Sequence, residues 1–232
     1  MNIPKVRFKA MSLEENIELV KWSYNEKNDN LDLHKHTIEC FPELENNPNI
    51  EEVVTKSYKA SIDKIIDAVE KYNELWEPYN SKFFRELFNY LEVENNVDYI
   101  DAKIGIIPVF PRDINNYSFS ISINIDDEKV VETVAHETLH FYWFKKWLEI
   151  YPDTPKEHLE SPYIEWLYSE MVTDPILNNK PFNEMFSFTE RGYDSFYKNE
   201  ELMNKLRNIY MTNEHIIDKI KNGYELIKNN MV

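Results

Sequence analysis

The stretch that decides the fold is residues 117–140, YSFSISINIDDEKVVETVAHETLH. Its first ten residues alternate between large, mostly apolar side chains and small or polar ones, which predicts a half-buried strand over 117–126. Asp126 and Asp127 can cap a helix, and the strongly apolar run after them predicts one from about 128 to 150. The stretch therefore predicts a strand that leads directly into a largely buried helix.

The motif HETLH, residues 136–140, lies inside this helix. Residues four apart lie on one face of a helix, so His136 and His140 point together and can bind one zinc ion. Glu137 lies about 100° further round the helix, where its carboxylate can reach a water beside the metal. The residues around the motif are uncharged, as a water-poor metal pocket requires. We therefore predict one zinc ion per chain, with Glu137 as the general base.

Outside this stretch, helices dominate the prediction. Residues 1–98 predict a helical N-terminal region, in which Ser12 and Glu15 form a capping box. A long amphipathic helix begins at residue 50, and Pro78 is expected to interrupt it. The tail, 199–230, predicts two further helices.

A second strand is predicted over 102–110, where the residues are apolar and β-branched, and PRDINN at 111–116 supplies the turn to the next strand. The fold class is thus α+β and mostly helical, with a small mixed or antiparallel sheet, strands near 102–110 and 117–126, packed on the motif helix. We expect residues 99–232 to form one compact region.

Composition and charge exclude several classes of function. The 232 residues include 26 Lys and Arg against 42 Asp and Glu, a net charge of −16. Such a balance disfavours nucleic acid and anionic membrane surfaces and slightly favours neutral or cationic peptide substrates. Three glycines leave no dinucleotide-binding fingerprint and no P-loop. The single cysteine, Cys40, and the lack of a secretory signal or a long apolar run lead us to expect a cytoplasmic protein.

The motif and the serine-rich strand before it resemble the zincin superfamily of zinc metallopeptidases. The metzincin extension needs Gly at 143 and His at 146, but these positions hold Trp143 and Lys146. The sequence is more similar to the gluzincins, in which a later helix supplies a Glu-x-x-x-Asp pattern, matched here by Glu170 and Asp174. The resemblance implies that Glu170 is the third metal ligand, that Asp174 orients His136, and that the strand pairs with an extended substrate backbone.

Alternatives to these residues remain open. Glu165 lies on the same predicted helix, with Ser169 in place of the aspartate, and weaker ligand candidates lie in the loop before it: Glu157, His158 and Glu160. Pro175 disfavours helical geometry at Asp174, which can instead cap a short turn. The resemblance also implies a Tyr or His that stabilises the oxyanion; Tyr193 is our candidate, with Tyr197 and His215 as alternatives.

The function that the resemblance implies is a zinc metallopeptidase that hydrolyses peptide bonds of a peptide or protein substrate through a zinc-activated water. The alternative is a non-peptidase zinc protein, or a regulatory or interaction domain with a zincin-like fold. Glu137 favours catalysis, because a purely structural zinc site has four protein ligands and needs no unligated carboxylate beside the metal. The oligomeric state stays open.

Overall fold

The computed structural model describes residues 2–26, 32–46, 49–186 and 193–230. The chain divides into two compact units that interleave along the sequence. The sheet unit comprises Lys5–Pro78 and Tyr99–Thr133, and the helical unit comprises Met1–Pro4, Tyr79–Asp98 and Val134–Val232. The predicted boundary at 98/99 is one of the points where the chain passes between units, but neither predicted region coincides with a unit.

Helices and a small mixed sheet make up the described chain, which confirms the expected α+β class. The helices are α1 Leu13–Asn25, α2 Leu33–Cys40, α3 Ile50–Leu91, α4 Asp127–Ile150, α5 Ile164–Met171, α6 Thr173–Leu177, α7 Glu200–Met211 and α8 Ile216–Lys228. Short 3₁₀ helices span Pro42–Glu45, Lys156–Leu159, Phe182–Glu184 and Asp194–Asn199. The strands are β1 Lys5–Ala10, β2 Tyr99–Gly105, β3 Arg112–Asp113 and β4 Ser118–Ser122.

The sheet has the order β1-β2-β4-β3. β1 and β2 are parallel, as are β2 and β4, whereas β3 pairs antiparallel with β4. Phe8, Ala102 and Phe119 lie side by side in this register, and all three are buried. One face of the sheet therefore forms the core of its unit, as the alternation of β4 predicts. The prediction that β4 is only half-buried was wrong, because Ser120 and Ser122 on its other face are also buried.

The bounds of both predicted strands were wrong, and two further strands, β1 and β3, were not predicted. β2 begins at Tyr99 and ends at Gly105, before Pro108, because a proline cannot donate a ladder hydrogen bond. β4 ends at Ser122, short of the predicted 126, and β3 lies within the predicted turn. β1 was not expected at all, because a strand with only Val6 and Phe8 buried gives too short an alternation.

The helices follow the sequence more closely. Both hydrogen bonds of the capping box between Ser12 and Glu15 are present, which confirms the predicted start of α1. The predicted interruption of α3 was wrong, since the helix continues through Pro78 to Leu91. The division between the two units does fall at this proline, because Lys5–Pro78 belongs to the sheet unit and Tyr79–Asp98 to the helical unit. No helix within the described ranges has the length and apolar composition needed to cross a membrane.

Candidate metal centre

The platform of the site is the part of α4 that lies in the helical unit. Residues from Val134 to Phe144 are all buried, and the helix has apolar side chains all round, as expected for a helix enclosed by protein. The ring of Phe144 stacks on that of His140, with centroids 6.2 Å apart and an interplanar angle of 25°. This packing restricts the orientation of one of the two histidines.

The structure brings His136, His140 and Glu170 together in a buried cluster. The Nε2 atoms of the two histidines lie 2.9 Å apart. Glu170 Oε2 lies 3.3 Å from His136 Nε2, and its Oε1 lies 3.5 Å from His140 Nε2. Three potential ligand side chains from two helices thus converge, with a different oxygen of Glu170 nearest to each histidine.

These distances fit a metal ion of the size of zinc. Two ligand atoms about 2.0–2.1 Å from one tetrahedral zinc lie roughly 3.3 Å from each other. The observed separations of 2.9, 3.3 and 3.5 Å lie on both sides of that value. Two imidazoles and one carboxylate are also a donor set that zinc accepts. The cluster could therefore hold a metal ion without a large rearrangement of its side chains.

Glu137 lies next to the cluster in sequence and is itself buried, with 5% of its surface exposed. His136 retains 8% of its surface, whereas His140 retains none. The remaining solvent exposure of the motif is therefore on the side of His136 and Glu137.

Helix α5 carries two buried glutamates, and only one of them joins the histidines. Glu170 is 3% exposed and lies in the last turn of the helix. Glu165 is 8% exposed, but its Oε1 accepts a hydrogen bond of 2.8 Å from the Tyr224 hydroxyl, and its Oε2 lies 3.2 Å from His158 Nδ1. Glu165 and Glu170 are five positions apart, which places them about 140° from each other around the helix axis. The two side chains therefore leave α5 on different sides.

The loop candidates lie outside the cluster. Glu157 and Glu160 are exposed, and His158 faces Glu165. Among the described residues, His136, His140 and Glu170 form the one group of three ligand side chains that could hold a metal.

Asp174 lies in the first turn of α6, the short helix that follows Glu170. Its Oδ2 accepts hydrogen bonds from Arg207 Nη2 at 2.6 Å and from the Tyr197 hydroxyl at 2.8 Å. Its Oδ1 accepts one of 3.0 Å from the Asn178 amide. Asp174 thus anchors α6 to α7, and its expected role in orienting His136 stays a prediction.

The three candidates for the oxyanion donor lie in different surroundings. Tyr193 is half-buried, and its ring centroid lies 6.2 Å from that of Trp166, one turn before Glu170 on α5. The Tyr197 hydroxyl is engaged by Asp174. His215 has an 81% exposed side chain that contacts Glu92. Residues 187–192, which precede Tyr193, lie outside the described part of the chain.

Two contacting residues were missed from the sequence: Arg207, which pairs with Asp174, and Tyr224, which binds Glu165. Both belong to the C-terminal helices, far along the chain from their partners. No local pattern marks either residue, since an Arg or Tyr on an amphipathic helix is ordinarily a surface or core residue. They could have been found only from the tertiary packing.

Comparison of the chain with protein-family models, curated proteins and solved structures finds no match in any of the three. The class that the fold and the cluster define is therefore a coarse one. The chain is a mostly helical α+β protein with a buried His-His-Glu group that could hold a metal ion.

Proposed function

We propose that this protein is a zinc metallopeptidase of gluzincin type, with His136, His140 and Glu170 as ligands. The observation that carries the proposal is the convergence of these three side chains, with Glu137 next to His136 in the chain. A structural zinc site has four protein ligands, whereas a catalytic site has three and leaves one position open. The described residues contribute three, which favours catalysis.

The chemistry follows from the residues around the cluster. A zinc ion bound there supplies a Lewis acid that polarises a carbonyl group and acidifies water. Glu137 accepts the proton of the attacking water and returns it to the amine that leaves when the peptide C–N bond breaks. The low exposure of Glu137 strengthens its electrostatic interactions with the reacting groups.

Tyr193 remains our candidate for stabilising the negative charge that develops on the carbonyl oxygen. Its contact with Trp166 supports this assignment, because Trp166 and Glu170 are four residues apart and share a face of α5. The phenol would donate a hydrogen bond to the developing oxyanion. The substrate is a peptide or protein, and the net charge of −16 favours neutral or cationic ones.

Metal content and peptide cleavage test the proposal together. We expect one zinc per chain, by elemental analysis, in the parent protein and in Glu165→Gln when zinc is in excess. Glu170→Gln should lose that zinc under the same conditions. Because these two substitutions make the same chemical change on the same helix, Glu165→Gln is a matched control.

Cleavage is measured with a library of fluorescence-quenched peptides. Glu137→Gln should retain zinc but cleave at least about 100-fold more slowly than the parent, since it lacks the base. A parent that binds no zinc after incubation with the ion would overturn the proposal. Equal cleavage by the parent and Glu137→Gln would assign the activity to a contaminant.

A further inference from the structure

We propose that Glu165 is a positioning residue, although it does not join the histidines. It fixes the rotation of α5 about its own axis, so that Glu170 faces the metal site. Its partners are Tyr224 on α8 and His158 in the loop between α4 and α5; we call these three residues the α5 clamp. This inference rests on the proposed function, because it assigns the clamp an effect on zinc binding.

The Tyr224 contact is the stronger half of the clamp. Its hydroxyl donates a 2.8 Å hydrogen bond to Glu165 Oε1. Burial, together with that bond to the Glu165 carboxylate, raises the pKa of Tyr224, so the phenol stays protonated and able to donate. Its ring packs edge-on against Trp147 of α4 at 4.7 Å, which fixes the position of the donor. Tyr224 of α8 thus contacts both α5 and α4.

His158, from the intervening loop, lies close to the same carboxylate without forming a hydrogen bond with it. Its Nδ1 lies 3.2 Å from Glu165 Oε2, and its ring stacks on that of Tyr163 at 4.2 Å with an interplanar angle of 16°. Tyr163 directly precedes the first residue of α5. The loop that joins the two ligand-bearing helices is therefore held at the point where α5 begins.

The rotation of α5 depends on contacts along one side of the helix. Glu165 and Tyr168 are three residues apart and share a face, and Tyr168 also contacts α8, through a 3.1 Å hydrogen bond to the Ile220 carbonyl. Glu170 lies about 140° round the helix from Glu165. Two anchors toward α8 therefore set the direction in which Glu170 points. The carboxylate of Glu165 works through Glu170 and does not touch the metal.

The test compares zinc affinities of folded proteins by competition with a chromogenic chelator. Tyr224→Phe removes the donor and keeps the ring, and we expect it to bind zinc about tenfold more weakly than the parent. Tyr151→Phe is the matched control, because its ring lies 5.8 Å from that of Tyr224 but its hydroxyl is outside the clamp. Its zinc affinity should stay within about twofold of the parent value.

A double-mutant cycle separates positioning from general destabilisation. Glu165→Gln keeps an oxygen that accepts from Tyr224, so it should bind zinc more tightly than Glu165→Ala. Tyr224→Phe should add no further loss in the Glu165→Ala background. The visible absorption of bound Co²⁺ should change in Tyr224→Phe and not in Tyr151→Phe, because it reports ligand geometry.

The outcomes distinguish the two proposals. If the parent binds zinc, and Tyr224→Phe has the same zinc affinity and the same Co²⁺ spectrum, the clamp is overturned and the metallopeptidase proposal is not. A parent that binds zinc but cleaves no peptide, with Tyr224→Phe weakened as expected, supports the clamp and overturns the peptidase. A parent that binds neither ion overturns both.

Discussion

The most quantitative prediction concerns Gly223, a buried residue of α8. A Cβ at this position would overlap the hydroxyl oxygen of Tyr168 and lie 3.0 Å from its Cζ and 3.2 Å from Leu206 Cδ1. The same hydroxyl bonds the Tyr210 hydroxyl at 2.7 Å and donates to the Ile220 carbonyl at 3.1 Å. Gly223→Ala must therefore displace a buried phenol from two hydrogen bonds.

Its cost follows from three contributions. Two lost hydrogen bonds cost about 2 kcal/mol together, and overpacking of a buried contact costs about 2 kcal/mol more. Alanine is favoured over glycine inside a helix by about 1 kcal/mol, which offsets part of the loss. The free energy of unfolding should thus fall by about 3 kcal/mol, measured by urea unfolding followed by far-UV circular dichroism.

Two variants isolate the cause. Asn222→Ala, at the exposed neighbouring position of α8, gains helix propensity without a clash and should be neutral or slightly stabilising. Tyr168→Phe removes the overlapping oxygen, so Gly223→Ala should cost roughly half as much in that background. The reasoning would be refuted if the Gly223→Ala protein were as stable as the parent. It would also be refuted if Gly223→Ala lowered the free energy of unfolding equally in the parent and in Tyr168→Phe.

Two further predictions concern charged side chains. Arg207→Met leaves the buried carboxylate of Asp174 without its cation and should lower the free energy of unfolding by about 2–3 kcal/mol, measured in urea. The control Lys205→Met breaks an exposed pair with Glu201 and should cost less than about 1 kcal/mol. Similar costs for the two variants would contradict the claim that the buried pair contributes more to stability. Hydrogen bonds from the Asn116 side chain and from two backbone N–H groups lower the pKa of Asp113. The contribution of Asp113 to stability is therefore fully present above its unfolded pKa, about 4, and is lost as the pH falls through its lower folded pKa. Asp113→Asn should therefore lose less stability than the parent between pH 5 and pH 3, and urea midpoints that fall equally in both proteins would disprove this.

Local patterns allowed the site helix and its histidines to be predicted from sequence. The apolar run after Asp127 indicates a buried helix, and α4 spans Asp127–Ile150, within one residue of the predicted limits. The separation of His136 and His140 requires only helical geometry to bring their rings together. Such features depend on residues close in sequence, so no tertiary contact is needed to infer them.

Features that depend on distant residues were harder to predict. β1 exists because Lys5–Ala10 pairs with β2, which lies more than ninety positions further along the chain. The continuity of α3 through Pro78 likewise overrides the local preference of proline, since packing along a long helix can compensate for one missing hydrogen bond. The sequence alone also left Glu165 and Glu170 as alternatives, because both occupy buried positions of one helix.

The two glutamates of α5 show how burial assigns different roles to the same residue type. A buried carboxylate is costly unless hydrogen bonds or a positive charge compensate it. Glu165 meets this requirement through Oε1, which accepts a hydrogen bond from the Tyr224 phenol, while His158 Nδ1 lies 3.2 Å from Oε2 without a hydrogen bond. Glu170 instead faces two imidazole nitrogens that lie 2.9 Å apart, so a single divalent cation can compensate its charge and bind all three side chains. Both glutamates lie on one short helix. The contacts that hold Glu165 therefore help to keep the carboxylate of Glu170 directed at the two histidines. Zinc binding at this site should accordingly depend on residues that never contact the ion.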